Sequence, residues 1–166
     1  MRSLLFAAVM LAAAPFLSAG NALAAERIAV VAAENFYGDV ARQIGGDHVA
    51  VTSILSNPDE DPHLFETSPS TARAVADAGI VIYNGAGYDP WMDKLVSASS
   101  APSRTAIVAA ALTGRKSGDN PHLWYDPATL PAVAKALAGE LVWRDPENAA
   151  DYKANLATFT LSMEKI

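Results

Sequence analysis

The sequence has 166 residues, 51% of them hydrophobic, with 12 basic and 18 acidic side chains and a net charge of −6. The acidic balance argues against nucleic acid as a partner. The absence of cysteine excludes disulfides, thiolate metal sites and cysteine catalysis, and with no cysteine to carry a lipid the exported protein is expected free rather than tethered.

Residues 1–24 read as a cleaved secretory signal. Arg2 gives the positive start, residues 4–17 are an apolar run interrupted by Pro15, and Ala22-Leu23-Ala24 is a small-x-small cleavage site. The run is too short for a membrane span, which takes about 20 residues. Removing the signal leaves 142 residues, the size of one domain, with 11 basic against 18 acidic side chains. The bacterial periplasm is the simplest compartment for such a product.

Residues 28–33 are continuously apolar and predict a buried strand. Apolar residues at 36, 37, 40, 41 and 44 have helical spacing, with Gly45-Gly46 as the stop. Residues 49–55, β-branched at 49, 51, 52 and 54, predict a second strand. A polar, acidic loop over 56–62 then delivers His63. Ser68-Pro69 starts a helix that runs to Ala78, with a hydroxyl cap and proline in the first turn. Residues 80–83 predict a third strand, Asn84-Gly85-Ala86-Gly87 a turn, and Asp89-Pro90 the start of another helix. Residues 105–109 predict a fourth strand and 110–119 a loop. Pro131 would clash with the carbonyl of residue 127, so the next helix either begins near Thr129 or kinks there. Val133, Leu137, Leu141 and Val142 mark its buried face, and Asp145-Pro146 opens the last helix.

Strands alternating with helices, with almost no hairpin signals, give an α/β class: a mostly parallel four-stranded sheet with helices on both faces. Such sheets bind ligands at the carboxyl ends of their strands. His63 follows the second strand and His122 the fourth, so both are expected on one rim.

These two histidines, out of three, share a local setting. Asp61-Pro62-His63-Leu64-Phe65-Glu66 and Asn120-Pro121-His122-Leu123-Trp124-Tyr125-Asp126-Pro127 both read polar, Pro, His, Leu, aromatic. Proline fixes its own φ and biases the residue before it toward extended geometry, and the Leu and aromatic can anchor in a core. Each imidazole is therefore expected on a stiffened loop, as a metal ligand requires. Two unrelated surface loops would give the same local pattern. His48 reads as a surface histidine. Glu66 reads as support for the helix start near Ser68, and Asp59, Glu60 and Asp61 as a solvated acidic loop. Trp91, Trp124 and Trp143 read as core or lobe-interface packing.

Tyr152, Leu156, Phe159, Met163 and Ile166 form an apolar stripe on one helix face. The sequence ends on that stripe, which predicts a chain cut short of its full architecture; a terminal helix docked on the sheet is the other reading.

Glu34-Asn35-Phe36-Tyr37-Gly38-Asp39-Val40-Ala41, Asp77-Ala78-Gly79-Ile80-Val81-Ile82-Tyr83-Asn84-Gly85, Tyr88-Asp89-Pro90-Trp91 and the two histidine segments together resemble the N-terminal half of periplasmic zinc/manganese ABC-transporter solute-binding proteins. Asp145-Pro146-Glu147-Asn148-Ala149 resembles the opening of that family's long linking helix. The resemblance covers nearly all of the chain after residue 24. It implies two α/β lobes joined by one helix with metal between them, His63 and His122 as the first lobe's ligands, and a second lobe supplying a His or Glu plus an Asp. It divides this chain into a signal (1–24), a metal-binding lobe (25–144) and the start of the linking helix (145–166), with the second lobe absent. The His-rich accessory loop of many zinc members is missing from residues 110–119.

The implied function is a non-catalytic carrier that, as a fragment with half of the metal site, holds Zn²⁺ or Mn²⁺ weakly and delivers it to a membrane permease as a monomer.

 The implied cargo is a transported ligand, held by neutral imidazoles with water filling the open positions. Two alternatives remain from the residues: a zinc-dependent hydrolase using His63 and His122 with Glu66 or Asp126 as base, and an interaction or adhesion protein. A non-functional fragment is a third. Neither acid falls in a recognisable catalytic spacing.

Overall fold

The computed structural model describes residues 26–57, 59–99 and 101–165. The signal expected over 1–24 and the stripe's last member, Ile166, lie outside the described residues.

The strands are β1 (Ile28–Glu34), β2 (Val49–Leu55), β3 (Ile80–Tyr83) and β4 (Thr105–Val108). They form one sheet in the order β2-β1-β3-β4, and every neighbouring pair is parallel. The helices are α1 (Asn35–Gly45), α2 (Pro69–Asp77), α3 (Pro90–Ala98), α4 (Ala109–Leu112), α5 (Thr129–Arg144) and α6 (Ala149–Met163). The expected α/β class and helices on both faces are found.

The inner strands are apolar throughout because both of their faces are covered. Val30, Ala32, Ile80, Ile82 and Ile107 point to one side, where Tyr37, Val40 and Ile44 of α1 and Val133, Leu137 and Leu141 of α5 complete a core. Val31, Ala33, Val81 and Tyr83 point to the other, against Val75 of α2 and Trp91 and Met92 of α3. Alternation along a strand sorts the residues between these two cores.

Local signals act as read. Ser68 caps α2, its Oγ accepting the Thr71 N–H at 3.1 Å. Gly46, at φ +54°, ends α1 and donates its N–H to the Arg42 carbonyl. α5 begins at Thr129, which leaves Pro131 in the first turn, where its missing N–H has no helical partner to lose.

Two details differ from the sequence reading and a third narrows it. Residues 109–112 form a short helix where a loop was expected at 110 onward. Asp145-Pro146 opens a 3₁₀ turn, Pro146–Asn148, and α6 starts only at Ala149. Of the two readings of Trp143, core or lobe-interface packing, the core is excluded: it is 74% exposed, with the Arg144 guanidinium 5.8 Å from its ring.

The apolar stripe of α6 is buried within this lobe. Tyr152 and Phe159 belong to the core shared with α1 and α5, and Leu156 and Met163 pack against it. Tyr152 and Asn148 both donate to the Asp145 carboxylate, at 2.6 and 2.8 Å, and hold it below the usual carboxylate range. His48 Nε2 lies 3.0 Å from Asp151 Oδ2, tying the end of α1 to α6. Phe159→Ala is therefore expected to cost about 3–5 kcal/mol in denaturant unfolding; a loss below about 1 kcal/mol would mean that α6 is not part of this cooperative unit.

Candidate metal centre

β1 sends the chain to β2 on one side, and β3 sends it to β4 on the other. Between the carboxyl ends of β1 and β3 the sheet therefore opens a crevice, the place where such sheets bind ligands. Glu34 ends β1, and Asn84 directly follows β3.

The two histidine loops are built alike. Asp61 Oδ1 accepts the His63 N–H at 2.9 Å, and Asn120 Oδ1 accepts the His122 N–H at 3.0 Å. Each is a side-chain turn across a proline, which has a fixed φ and no N–H of its own. The proline carbonyls are then pinned from the scaffold. Trp91 Nε1 donates to the Pro62 carbonyl at 3.1 Å, and Asn84 Nδ2 donates to the Pro121 carbonyl at 2.8 Å. Sequence reasoning assigned Trp91 to packing and Asn84 to a turn. Their quoted motifs were the signal that these positions matter, but nothing in the spacing showed what they bind.

The side chains of both histidines are exposed, and both rings flank Tyr88, with centroids 5.2 Å from it for His63 and 5.7 Å for His122. The structure thus brings the two predicted ligands to one ring on one rim. Trp124 supports that ring at 4.8 Å and leans on Phe36 at 4.7 Å. Asn120 Oδ1 also lies 2.9 Å from His122 Nδ1. Because that oxygen already accepts a backbone N–H, the ring nitrogen facing it carries the proton, and Nε2 keeps its lone pair for a cation. Among the described residues, no three His, Asp or Glu side chains stand close enough together to hold a metal ion.

Behind the histidines lies a buried polar hub. Tyr37 donates its hydroxyl to Asn84 Oδ1 at 2.8 Å, and the Asp89 carboxylate accepts the N–H groups of Asn84 and Gly85 at 2.7 and 2.8 Å. Gly85 sits at φ +73°, and a Cβ there would come within 2.8 Å of Val108. Burial pushes Asp89 up to about 6 against the opposing pull of those two amides. Glu34 is 2% exposed, and no donor of the protein reaches its carboxyl oxygens. Burial first, then the charge of Asp89 and a hydrogen bond to that carboxylate, hold it well above the usual carboxylate range. Burial, with Glu34 and Asp89 next, pushes Tyr88 up to about 12, so it remains a neutral phenol.

The other candidates have structural work or none. Asp126 Oδ1 accepts the Ala128 N–H at 3.0 Å and its Oδ2 meets Arg115 at 3.4 Å, while Glu66 is exposed.

The family profile of the periplasmic zinc-uptake complex component A, ZnuA, matches residues 30–166. The chain belongs to the ZnuA family. This is a family of solute-binding transport proteins rather than enzymes. A manganese-binding lipoprotein, MntA, of Halalkalibacterium halodurans is 29% identical over 85% of this chain and 48% of its own length. The manganese ABC transporter substrate-binding lipoprotein PsaA of Streptococcus anginosus is 27% identical over 88% of this chain and 51% of its own. The chain thus spans about half the length of the curated relatives it matches. The periplasmic zinc binding protein TroA of Treponema pallidum superposes with a TM-score of 0.74 at 20% identity, over 84% of this chain and 52% of that one, a likeness of fold.

Two predictions follow from the hub and its acids. Asn84→Ala strands the Tyr37 hydroxyl and frees the Pro121 carbonyl, and is expected to cost about 1–3 kcal/mol in denaturant unfolding; a neutral result would mean the hub is not formed in solution. For Glu34, the folded chain holds its proton at pH values where the unfolded chain has lost it, so this residue's contribution to stability falls as pH rises above the ordinary carboxylate range. Glu34→Gln cannot ionise. Its melting temperature should gain on that of the wild type as pH rises from about 4; a gap that narrows with rising pH would contradict a buried neutral Glu34.

Proposed function

We propose that this chain is the first, metal-capturing lobe of a periplasmic solute-binding component of an ABC transporter, and that it binds Zn²⁺ or Mn²⁺ through His63 and His122 for delivery to a membrane permease. The observation that carries the reading is the pair of matched Asx-Pro-His turns, each pinned by a buried donor, presenting imidazoles on either side of Tyr88. Imidazole nitrogen suits zinc, and a complete zinc site takes about four ligands. Two histidines supply half, with water in the remaining positions, and the other protein ligands would come from a second lobe beyond these residues.

In this reading residues 1–24 direct export, residues 25–144 form the lobe, and residues 145–166 begin the helix that joins the lobes. The periplasm is the compartment, the working form is a monomer, and the metal is cargo that undergoes no reaction. Relatives named for manganese, together with a family named for zinc uptake, leave both ions as cargo.

Calorimetric titration of the purified chain with zinc tests the proposal. One weakly bound ion per chain is expected, with His63→Ala and His122→Ala each lowering the affinity by about tenfold or more. Tight, sub-micromolar binding that survives in His63→Ala would overturn it.

A further inference from the structure

The acid with the least obvious reason to be where it is, Glu34, lies in the crevice itself. It ends β1, which is flanked by the strand leading to His63 and by the strand leading to Asn84 and Tyr88. The residue is 2% exposed, and no hydrogen-bond donor of the protein reaches either carboxyl oxygen. Its neighbour Asp89 can receive the Glu34 proton but has none to give, since both Asp89 oxygens already accept backbone N–H groups. An ionised Glu34 is therefore buried without a donor, a condition that costs stability and that a donor arriving from outside relieves.

Glu34 also lines a cavity of about 230 Å³ together with Leu55, Asn57, Glu60, Pro62 and Tyr88. Pro62 directly precedes His63, and Tyr88 is the ring between the two imidazoles. The space accommodates several waters, since each takes up about 30 Å³ in the liquid. Direct coordination by Glu34 is not what the geometry offers, because no three candidate ligands stand together among the described residues.

We propose that Glu34 is a positioning residue of the cation site, its carboxylate accepting a hydrogen bond across this cavity from water bound to the ion held by His63 and His122. This rests on the reading of those histidines as ligands. Water on a divalent cation is a stronger donor than bulk water, and a carboxylate is the strongest acceptor a side chain offers. The arriving positive charge favours the ionised acid, and the proton that Glu34 gives up passes to solvent. Outer-shell partners of this kind fix the waters that two protein ligands alone leave loose.

The test is zinc titration of the purified full chain in two buffers of different ionisation enthalpy, which yields affinity and protons released per ion. It is repeated across about pH 5 to 8, and the share of the released protons that belongs to Glu34 is read as the difference between wild type and Glu34→Gln. Wild type, Glu34→Gln, Glu34→Asp and Glu60→Gln are compared. Glu34→Gln keeps the size and neutrality of the protonated acid. It is expected to fold, to bind zinc about ten- to a hundredfold more weakly, and to release fewer protons over part of that range, with Glu34→Asp recovering part of both. Glu60→Gln, which removes an exposed charge from the same cavity wall, should change the affinity much less and leave the proton count alone. Wild-type affinity and proton release in Glu34→Gln would overturn this inference while leaving the histidine reading intact. Failure of the wild type to bind zinc would overturn both. Should Glu34→Gln not fold, Glu34→Asp decides: an affinity equal to that of the wild type would sink the proposal.

Discussion

The rim is held together by one buried amide. Asn84 accepts from Tyr37 of α1, donates to the Pro121 carbonyl of the second histidine loop, and passes its own N–H to Asp89. Its carbonyl receives the Ala110 N–H at the start of α4. Helix, strand end, following turn and second histidine loop thus meet on a single fully buried residue. In a low-dielectric interior each of these bonds is strong, and each would be costly to leave unmade. That asymmetry turns a loop that has no regular structure of its own into a rigid support.

The first histidine loop solves the same problem with different parts. Its proline carbonyl is held by the indole of Trp91, itself buried against Phe65 with ring centroids 4.6 Å apart. Both pins come from the single β3–turn–α3 segment, and Tyr88, which separates the imidazoles, belongs to the same stretch. The spacing between the histidines is therefore set by one continuous piece of backbone rather than by two loops settling independently. Side chains held this way have little conformational entropy left to lose on binding.

The strands, their parallel direction and the twin histidines were legible in the sequence because each rests on a local rule, whereas the strand order was not. Continuous apolar runs mark strands covered on both faces, and Ser68-Pro69 or Gly45-Gly46 punctuate helices by their own chemistry. The pins were not legible, since a hydrogen bond between Asn84 and Pro121 joins residues 37 apart and leaves no periodic trace. Glu34 was quoted only as part of a motif: nothing in an apolar run followed by an acid says whether that acid turns outward or is buried. For Trp143 the sequence left core and lobe-interface packing both open. Large aromatics are usually covered, and only the packing of α5 shows that this one lies on the outer side of the helix.

The electrostatics of the rim separate attraction from capture. The two imidazoles lie exposed at the surface, while two acids of the crevice behind them, Glu34 and Asp89, are buried and shifted upward from the ordinary carboxylate range. Among the described residues, no three His, Asp or Glu side chains form a preformed cluster around the two rings. The exposed acids Glu60 and Asp61 stand next to His63 in the loop and can draw a cation toward the rim without enclosing it. Burial keeps Glu34 apart from the charge that solvent sees, and this arises from where β1 ends rather than from any residue on the surface.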